Sequence, residues 1–192
     1  MSYNFFALLG RMKYIDRWGL MRNTQVENIQ EHSHMVAVLS HALAVIGRER
    51  FGSKVDPGEA AVAGLYHDAS EILTGDLPTP VKYDNPAIKE AYKAVERVAA
   101  DKLLSLLPEE LWGEFAPYVR EELDPELLAV VKAADKLSAH IKCLEEVKAG
   151  NHEFTLAKEQ TRAALEQMDL PALGYFMEHF LPAFELTLDE LQ

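Results

Sequence analysis

Cysteine, long apolar runs and positive charge are all scarce in this sequence. Its one cysteine, Cys143, excludes an intrachain disulfide and fits a reducing compartment. The longest early apolar run, at residues 5–9, is too short for the core of a signal peptide and follows no basic segment. No stretch approaches the ~20 apolar residues of a membrane span. We therefore expect a cytoplasmic protein that does not bind a membrane.

The charge balance argues against one class of partner. The 192 residues contain 19 Lys and Arg against 31 Asp and Glu, which gives a net charge of −12. Because binding to DNA or RNA depends on basic side chains along the phosphate backbone, polymeric nucleic acid is not expected as a partner. A smaller anionic ligand would need positive charge supplied locally. A divalent metal ion together with a few arginines can supply it.

Strand and hairpin patterns are also missing, as are internal repeats and low-complexity segments. Apolar residues instead recur at helical spacing, and three Asp-Pro or Asn-Pro pairs predict helix starts at 56–57, 85–86 and 124–125. Helices are predicted over 2–13, 27–48, 86–107, 108–122 with a bend at Pro117, 125–148, 153–168 and 171–184, and from 57 into the following segment. The chain is predicted to form one domain, 1–192, as an all-α bundle of about seven or eight helices.

Residues 64–80 concentrate ionisable side chains in apolar or small sequence. His67 and Glu71 would share a face of a helix, and Asp68 would neighbour Glu71. Small residues ahead of them, including Gly64, allow a neighbouring helix to approach closely. The proline-rich loop at 76–86 has a restricted backbone and is a plausible substrate wall. A His-Asp pair alone is common by chance, so these residues need support from the rest of the chain.

Two further polar residues fall on or beside core-facing stripes. His32 stands at the start of an apolar stripe, where a histidine is more often a satisfied core residue than a ligand. Asp135 lies beside another stripe, and a buried carboxylate there needs either an arginine partner or a metal. With His67 and Asp68 they offer two imidazoles and two carboxylates. That mixed set suits Mn²⁺, Co²⁺, Fe²⁺, Ni²⁺ or Zn²⁺, and a six-coordinate ion would keep two positions for water and substrate.

The order His32, His67-Asp68, Asp135 is similar to that of the HD-domain metal-dependent phosphohydrolases. The chain most resembles one subgroup, the bacterial 5′-deoxynucleotidases. The matching runs cover nearly the whole chain and lie at residues 17–18, 20–23, 27–28, 31–33, 66–71, 73–83, 134–135, 142–146 and 175–178. The loop at 75–82 is much more specific to this subgroup than the His-Asp pair.

The resemblance implies an enzyme that hydrolyses deoxyribonucleoside 5′-monophosphates to a deoxyribonucleoside and phosphate. It implies one divalent ion per chain, cobalt or manganese, and a homodimer. The implied metal ligands are His32, His67, Asp68 and Asp135, of which His32, Asp68 and Asp135 would also contact substrate. Asp68 would orient the attacking water, and Glu71 would be the acid/base residue.

The resemblance also implies the residues that recognise the nucleotide. Arg17 would orient the phosphate, as suits a guanidinium beside a phosphate dianion. Trp18 would pack near the sugar and disfavour a 2′-hydroxyl, which is discrimination by steric exclusion. The sugar would bind to the segment Asp76, Leu77, Pro78 and Thr79. From composition alone, the segment at 14–23 that carries Arg17 and Trp18 is equally consistent with an ordinary surface loop.

Two alternatives stay open. The first is another HD hydrolase, either a dNTP triphosphohydrolase or a cyclic-nucleotide phosphodiesterase. A triphosphate would need more basic groups than Arg17, Arg22 and Lys82 offer. The second is a non-catalytic nucleotide-binding or scaffold protein, which the complete set of four ligands disfavours.

Overall fold

The computed structural model describes residues 2–78 and 85–191, and these residues form helices joined by turns. An isolated bridge between Asp16 and Asn28 is the sole β-type pairing in this part of the chain. The α-helices are α1 (Phe5–Leu9), α2 (Ile29–Phe51), α3 (Pro57–Tyr66), α4 (Glu71–Thr74), α5 (Pro86–Leu104), α6 (Trp112–Val119), α7 (Pro125–Lys148), α8 (Thr155–Glu166) and α9 (Pro171–His179). The all-α prediction is confirmed. Of the helices described, none is both long and apolar enough to cross a membrane.

Polar caps explain where the long helices begin. The Asn28 side chain accepts hydrogen bonds from the backbone of Gln30 and Glu31, and the Glu31 side chain accepts one from the backbone of Asn28, which completes a capping box for α2. The predicted starts of α3, α5 and α7 are confirmed, because in each the residue before the proline caps a backbone N–H of the first turn. Helix α2 extends beyond the predicted end and stops at Gly52, which has a φ of 71°.

Several predicted helices are shorter or divided. Residues 2–13 form α1 and a separate 3₁₀ turn, Met12–Tyr14. Residues 108–122 contain a 3₁₀ turn, Glu109–Leu111, before α6, which tolerates Pro117 in its last turn. At the C-terminal end, α9 stops at His179 and a 3₁₀ turn, Leu181–Glu185, follows. Pro182 lacks the N–H that a continuing α-helix would use, which explains the early end.

The described residues form two hydrophobic clusters. The larger joins α2, α3, α7, α8 and α9, and the centre of α2 and of α7 is buried in it. The smaller joins α1, α5 and α6 and includes Ala69. Because Ala69 belongs to the turn at 67–70, that turn is fixed against the smaller cluster. It carries His67 and Asp68 and leads directly into Glu71.

Candidate metal centre and active site

His32 lies in the first turn of α2, and its side chain is fully buried against α7. Its Nδ1 is 3.1 Å from Ser138 Oγ, and its Nε2 is 3.1 Å from Asp135 Oδ1. A hydroxyl can donate or accept, so Ser138 can support either tautomer of the imidazole. When Nδ1 carries the hydrogen and donates it to Ser138, Nε2 presents a lone pair toward Asp135. The ring is thereby oriented as a potential metal ligand.

His67 follows α3 and caps its C-terminal end. Its Nδ1 donates to the carbonyl of Gly64 at 2.8 Å, which fixes that nitrogen as the N–H position. The opposite nitrogen, Nε2, is buried and has no hydrogen-bond partner within residues 2–78 and 85–191, although Asp68 Oδ2 lies 3.2 Å away. A buried imidazole nitrogen left in this way fits a site for a metal ion.

The prediction that one helix runs through His67 to Glu71 is wrong. Helix α3 ends at Tyr66, and the chain then makes a tight turn in which Ala69 N–H bonds the Tyr66 carbonyl and Glu71 N–H bonds the Asp68 carbonyl. These i→i−3 hydrogen bonds interrupt the α-helical pattern before α4 begins. His67, Asp68 and Glu71 are therefore related through a turn, and not by the continuous helix that was predicted for them.

A close contact between α2 and α3 sets the separation of the two histidines. A Cβ at Gly64 would lie 2.7 Å from Ala37 Cα and 2.9 Å from Ala37 N. Glycine is therefore needed for the two backbones to approach this closely. The rings of His32 and His67 lie with their centroids 5.2 Å apart as a result. The prediction that small residues here allow close helix packing is confirmed.

The structure brings all four predicted ligands together. One ligand atom from each of His32, His67 and Asp135 lies within 4.8 Å of the other two. Asp68 Oδ2 adjoins this group, at 3.6 Å from His32 Nε2 and 3.2 Å from His67 Nε2. Two imidazoles with two carboxylates form a donor set suited to a divalent ion of the first transition row. We call these four residues the metal cluster.

Charges within the metal cluster shift the pKa values of its members. Burial would raise the pKa of Asp68, but the charge of His67 outweighs it and holds that pKa below its ordinary value. The pKa of Asp135 is likewise lowered against burial, by its hydrogen bond with His32. Burial lowers the pKa of His32, and the charge of Arg17 adds to this. For His67 burial is outweighed by Asp68, and the pKa rises to about 9. A metal ion bound at this position would therefore compete with a proton for Nε2 of His67.

Arg17 and Trp18 lie at the edge of the metal cluster. Arg17 Nη1 donates to Asp68 Oδ2 at 3.3 Å, and Arg17 Nε donates to Glu27 Oε2 at 3.2 Å. Trp18 Nε1 donates to the same Glu27 oxygen at 3.2 Å, and the indole packs on Phe154. Burial would lower the pKa of Arg17, but Asp68, Asp135 and Glu27 raise it. Asp76 raises it as well, so four carboxylates act on one guanidinium, and a divalent cation would offset their excess negative charge.

The segment that carries Arg17 and Trp18 is anchored to α7 by a buried carboxylate. Glu146 is 1 % exposed and accepts hydrogen bonds from Thr24 N and Oγ1, Gln25 N and Asn151 Nδ2. Lys142 pairs with Glu146 and also donates to the carbonyl of Gln25. No role was predicted from the sequence for Glu27, Lys142 or Glu146. Charged residues four apart beside the apolar stripe of α7 were the available signal for the last two.

The other predicted site residues follow the turn. Glu71 is 5 % exposed and begins α4. Gly75, with a φ of 74°, turns the chain after α4, and its carbonyl accepts a hydrogen bond from Tyr92 at 3.2 Å. Asp76 is near enough to Arg17 to raise its pKa, and Leu77 and Pro78 are half-buried. Thr79, and the rest of the predicted loop as far as Asp84, lie outside the described residues.

A helical bundle that gathers this His, His-Asp and Asp set has the fold of the HD-domain phosphohydrolases. An HD-domain phosphohydrolase from Listeria innocua superposes with a TM-score of 0.83 at 22% identity, covering 96% of this chain and 90% of that one. A second structural neighbour is the HD phosphohydrolase DatZ of cyanophage S-2L, which was solved with dA and one catalytic Zn²⁺ bound. It superposes with a TM-score of 0.67 at 22% identity, and the match covers 97% of this chain and 100% of that one.

Sequence comparison narrows the class to a family. The chain belongs to the 5′-deoxynucleotidase YfbR-like family, whose model matches residues 4–184. The 5′-deoxynucleotidase YfbR of Escherichia coli O1:K1 is 51% identical over 189 residues, which cover 98% of this chain and 95% of that protein. The resemblance to the HD phosphohydrolases and to their 5′-deoxynucleotidase subgroup is therefore confirmed.

Proposed function

We propose that this protein is a metal-dependent 5′-deoxynucleotidase, which hydrolyses deoxyribonucleoside 5′-monophosphates to a deoxyribonucleoside and inorganic phosphate. The observation that carries the proposal is the contact of Arg17 with Asp68, since it puts a phosphate-binding group at the edge of the metal cluster. Membership of the YfbR-like family and 51% identity to a protein named 5′-deoxynucleotidase support the same activity.

The proposed ligands of one divalent ion are His32, His67, Asp68 and Asp135. Within the part of the chain that the structure describes, the buried Nε2 of His67 has no hydrogen-bond partner, and this supports the assignment together with the excess of carboxylates. When bound, the ion would supply charge neutralisation for the phosphate and a more acidic water. Cobalt or manganese is proposed for this chain, and the zinc in DatZ makes zinc a third ion to test.

The chain's own residues have distinct tasks in this proposal. Hydrolysis joins a water oxygen to phosphorus and breaks the bond to the 5′-oxygen, which leaves with a proton. Asp68 orients the attacking water, and Glu71, at the start of α4, transfers the proton. Arg17 holds the phosphate through its guanidinium, and positioning with charge neutralisation supplies most of the catalysis.

Sugar recognition is assigned to two segments. Trp18 packs near the sugar and excludes a 2′-hydroxyl, while Asp76, Leu77, Pro78 and Thr79 bind the deoxyribose. His32, Asp68 and Asp135 also contact the substrate in this proposal. We further propose a single domain over 1–192, a homodimer and a cytoplasmic location.

A phosphate-release panel tests the proposal. Purified protein is supplied with Co²⁺, Mn²⁺, Zn²⁺ or Mg²⁺ and with dAMP, AMP, dATP or cyclic AMP. We expect phosphate from dAMP, little from AMP and no triphosphate from dATP. Equal rates on dAMP and AMP would contradict the sugar assignment. Release of triphosphate from dATP, or rapid opening of cyclic AMP, would instead favour the other HD hydrolases.

A variant of Glu71 tests the proton-transfer assignment. Glu71→Ala should abolish turnover while metal and dAMP still bind, as measured by calorimetry. Glu110→Ala removes an exposed carboxylate from a 3₁₀ turn and serves as the matched control. Wild-type turnover in Glu71→Ala would remove Glu71 from the mechanism.

A further inference from the structure

One carboxylate oxygen serves both residues proposed to orient the nucleotide. Glu27 Oε2 accepts from Arg17 Nε and from Trp18 Nε1, each at 3.2 Å. The Glu27 carbonyl also accepts the backbone N–H of Arg17 at 2.8 Å. Glu27 therefore holds Arg17 through main chain and side chain, and holds Trp18 through the same oxygen. The side chains of Arg17 and Glu27 are 12% and 16% exposed, so water competes little for the ion pair.

Glu27 is itself fixed from two directions. On one side it precedes Asn28, whose capping box starts the helix that carries His32. On the other side it follows Thr24 and Gln25, which are bonded to Glu146 of α7. Its carboxylate therefore has a fixed position relative to α2 and α7, the helices that supply two of the four residues of the metal cluster. A carboxylate fixed in this way can orient the groups that bind it.

Trp18 depends on such an anchor more than an ordinary residue would. Its φ of 58° lies in the left-handed region, which a bulky side chain rarely adopts without support from its surroundings. The hydrogen bond to Glu27 and the packing on Phe154 are contacts that hold the indole in this conformation. Arg17, the residue immediately before Trp18, donates to the same Glu27 oxygen.

We infer that Glu27 is a positioning residue that couples phosphate orientation by Arg17 to sugar discrimination by Trp18. The inference rests on the proposed deoxynucleotidase activity. One oxygen accepts from both donors, so its loss removes a restraint from the guanidinium and from the indole together, and leaves them the contacts with Asp68 and Phe154. Turnover of dAMP and preference for dAMP over AMP then fall in the same variant. A residue that only stabilised the fold would lower the amount of active protein and leave the preference unchanged.

The test compares three substitutions at Glu27. Glu27→Gln keeps an oxygen that can accept both hydrogen bonds, while Glu27→Leu and Glu27→Ala keep none. For the latter two we expect kcat/KM on dAMP and the dAMP/AMP ratio each to fall roughly 10- to 100-fold, the range for loss of a charge-assisted hydrogen bond. Glu27→Gln should retain the ratio. Glu49→Leu, an exposed site on α2, should match the wild type in both measurements.

A spectroscopic measurement separates positioning from stability. The chain has two tryptophans, so Trp112→Phe leaves Trp18 as the single reporter. In that background Glu27→Leu should shift the Trp18 emission in folded protein, and Glu27→Gln should not. If Glu27→Leu does not fold, Glu27→Ala gives the same comparison, because water can solvate the two donors there.

The outcomes distinguish this inference from the proposed function. A wild-type protein without preference for dAMP over AMP would overturn both the sugar assignment and the coupling. A selective wild type whose ratio is unchanged in Glu27→Leu or Glu27→Ala would overturn the coupling alone. The coupling would also be overturned if Glu27→Gln lowered the dAMP/AMP ratio as severely as Glu27→Leu does. The hydrogen bonds that the glutamine oxygen can still accept would then have no effect on the preference.

Discussion

Gly64→Ala is a sharp test of how the two central helices build the metal cluster. The added methyl group would lie 2.7 Å from Ala37 Cα, 2.9 Å from Ala37 N and 3.1 Å from the carbonyl carbon of Val36. All three atoms belong to the backbone of α2, so no side-chain rotation can relieve the contact. Ordinary van der Waals contact begins at 3.4 Å, which requires α3 to move away from α2 by about 0.7 Å at this point.

Two opposing terms set the expected change in stability. Forcing extra volume into a packed site costs about 1–3 kcal/mol. Alanine is the better helix former by about 1 kcal/mol. We expect a net loss of up to about 2 kcal/mol in the free energy of unfolding. Each kcal/mol lowers the melting temperature by roughly 2–4 °C for a domain of this size.

The effect on metal binding should be larger than the effect on stability. Gly64 also supplies the carbonyl that orients His67, so a shift of α3 moves the His67 ring relative to His32. Metal–ligand distances tolerate only about 0.2 Å of error. We expect the dissociation constant for Co²⁺ or Mn²⁺ to rise at least about tenfold, with a parallel loss of activity at limiting metal.

Urea unfolding and metal titration by calorimetry measure the two effects. Gly174→Ala is the matched control, because Gly174 is also helical and a Cβ there would meet nothing within 4 Å. That variant should be as stable as the wild type or more stable by up to about 1 kcal/mol, with unchanged metal affinity. Wild-type stability and metal affinity in Gly64→Ala would show that the helix contact does not control the metal cluster.

Two further predictions concern α7. Glu146→Gln leaves Lys142 without its charged partner and should lower the free energy of unfolding in urea by about 3–5 kcal/mol. The control Glu145→Gln changes an exposed residue and should cost less than about 0.5 kcal/mol. Equal losses in the two variants would contradict the anchoring role of Glu146. Burial would raise the pKa of Glu146, but hydrogen bonds from Lys142, Asn151 and Thr24 outweigh burial and lower that pKa. The contribution of Glu146 to the free energy of unfolding is therefore complete above about pH 4.5 and is lost as the pH falls through the lowered pKa of the folded state. Cys143 is buried, and burial raises the pKa of its thiol to about 11. A thiol reagent at pH 8 should therefore react with Cys143 only as fast as the protein opens. Rapid reaction of the native protein would contradict this prediction.

Local signals made the helix starts predictable from the sequence, whereas contacts between residues far apart in the chain could not be predicted from local patterns. Asp56, Asn85 and Asp124 act on N–H groups a few residues away, so residue type and spacing were enough. His32 and Asp135 are 103 residues apart, and periodicity indicated only that both are near the core. That they meet was expected from the family resemblance, and the structure supplied the contact.

The turn after Tyr66 and the role of Glu27 illustrate two further limits. Helical spacing continues formally from Gly64 to Glu71, but the chain makes a turn there, with Ala69 packed in the smaller hydrophobic cluster. Glu27 was predicted to be the first residue of the helix over 27–48, but α2 begins at Ile29. Glu27 therefore belongs to the preceding segment, and its partners are set by how that segment docks. Glu146 docks it through contacts 122 residues away in sequence, which no local pattern specifies.

The position of Asp135, Ser138 and Glu146 on one late helix has a consequence for how the protein is made. During synthesis the segment with Arg17 and His32 emerges from the ribosome first, the turn with His67 follows, and α7 emerges only afterwards. Until α7 has emerged, a nascent chain lacks one carboxylate of the metal cluster, the hydroxyl that supports His32, and the anchor for residues 24–25. The four-residue set is therefore assembled late in synthesis or after it, any metal loading that depends on the set would follow, and a truncated chain ending before α7 cannot assemble it.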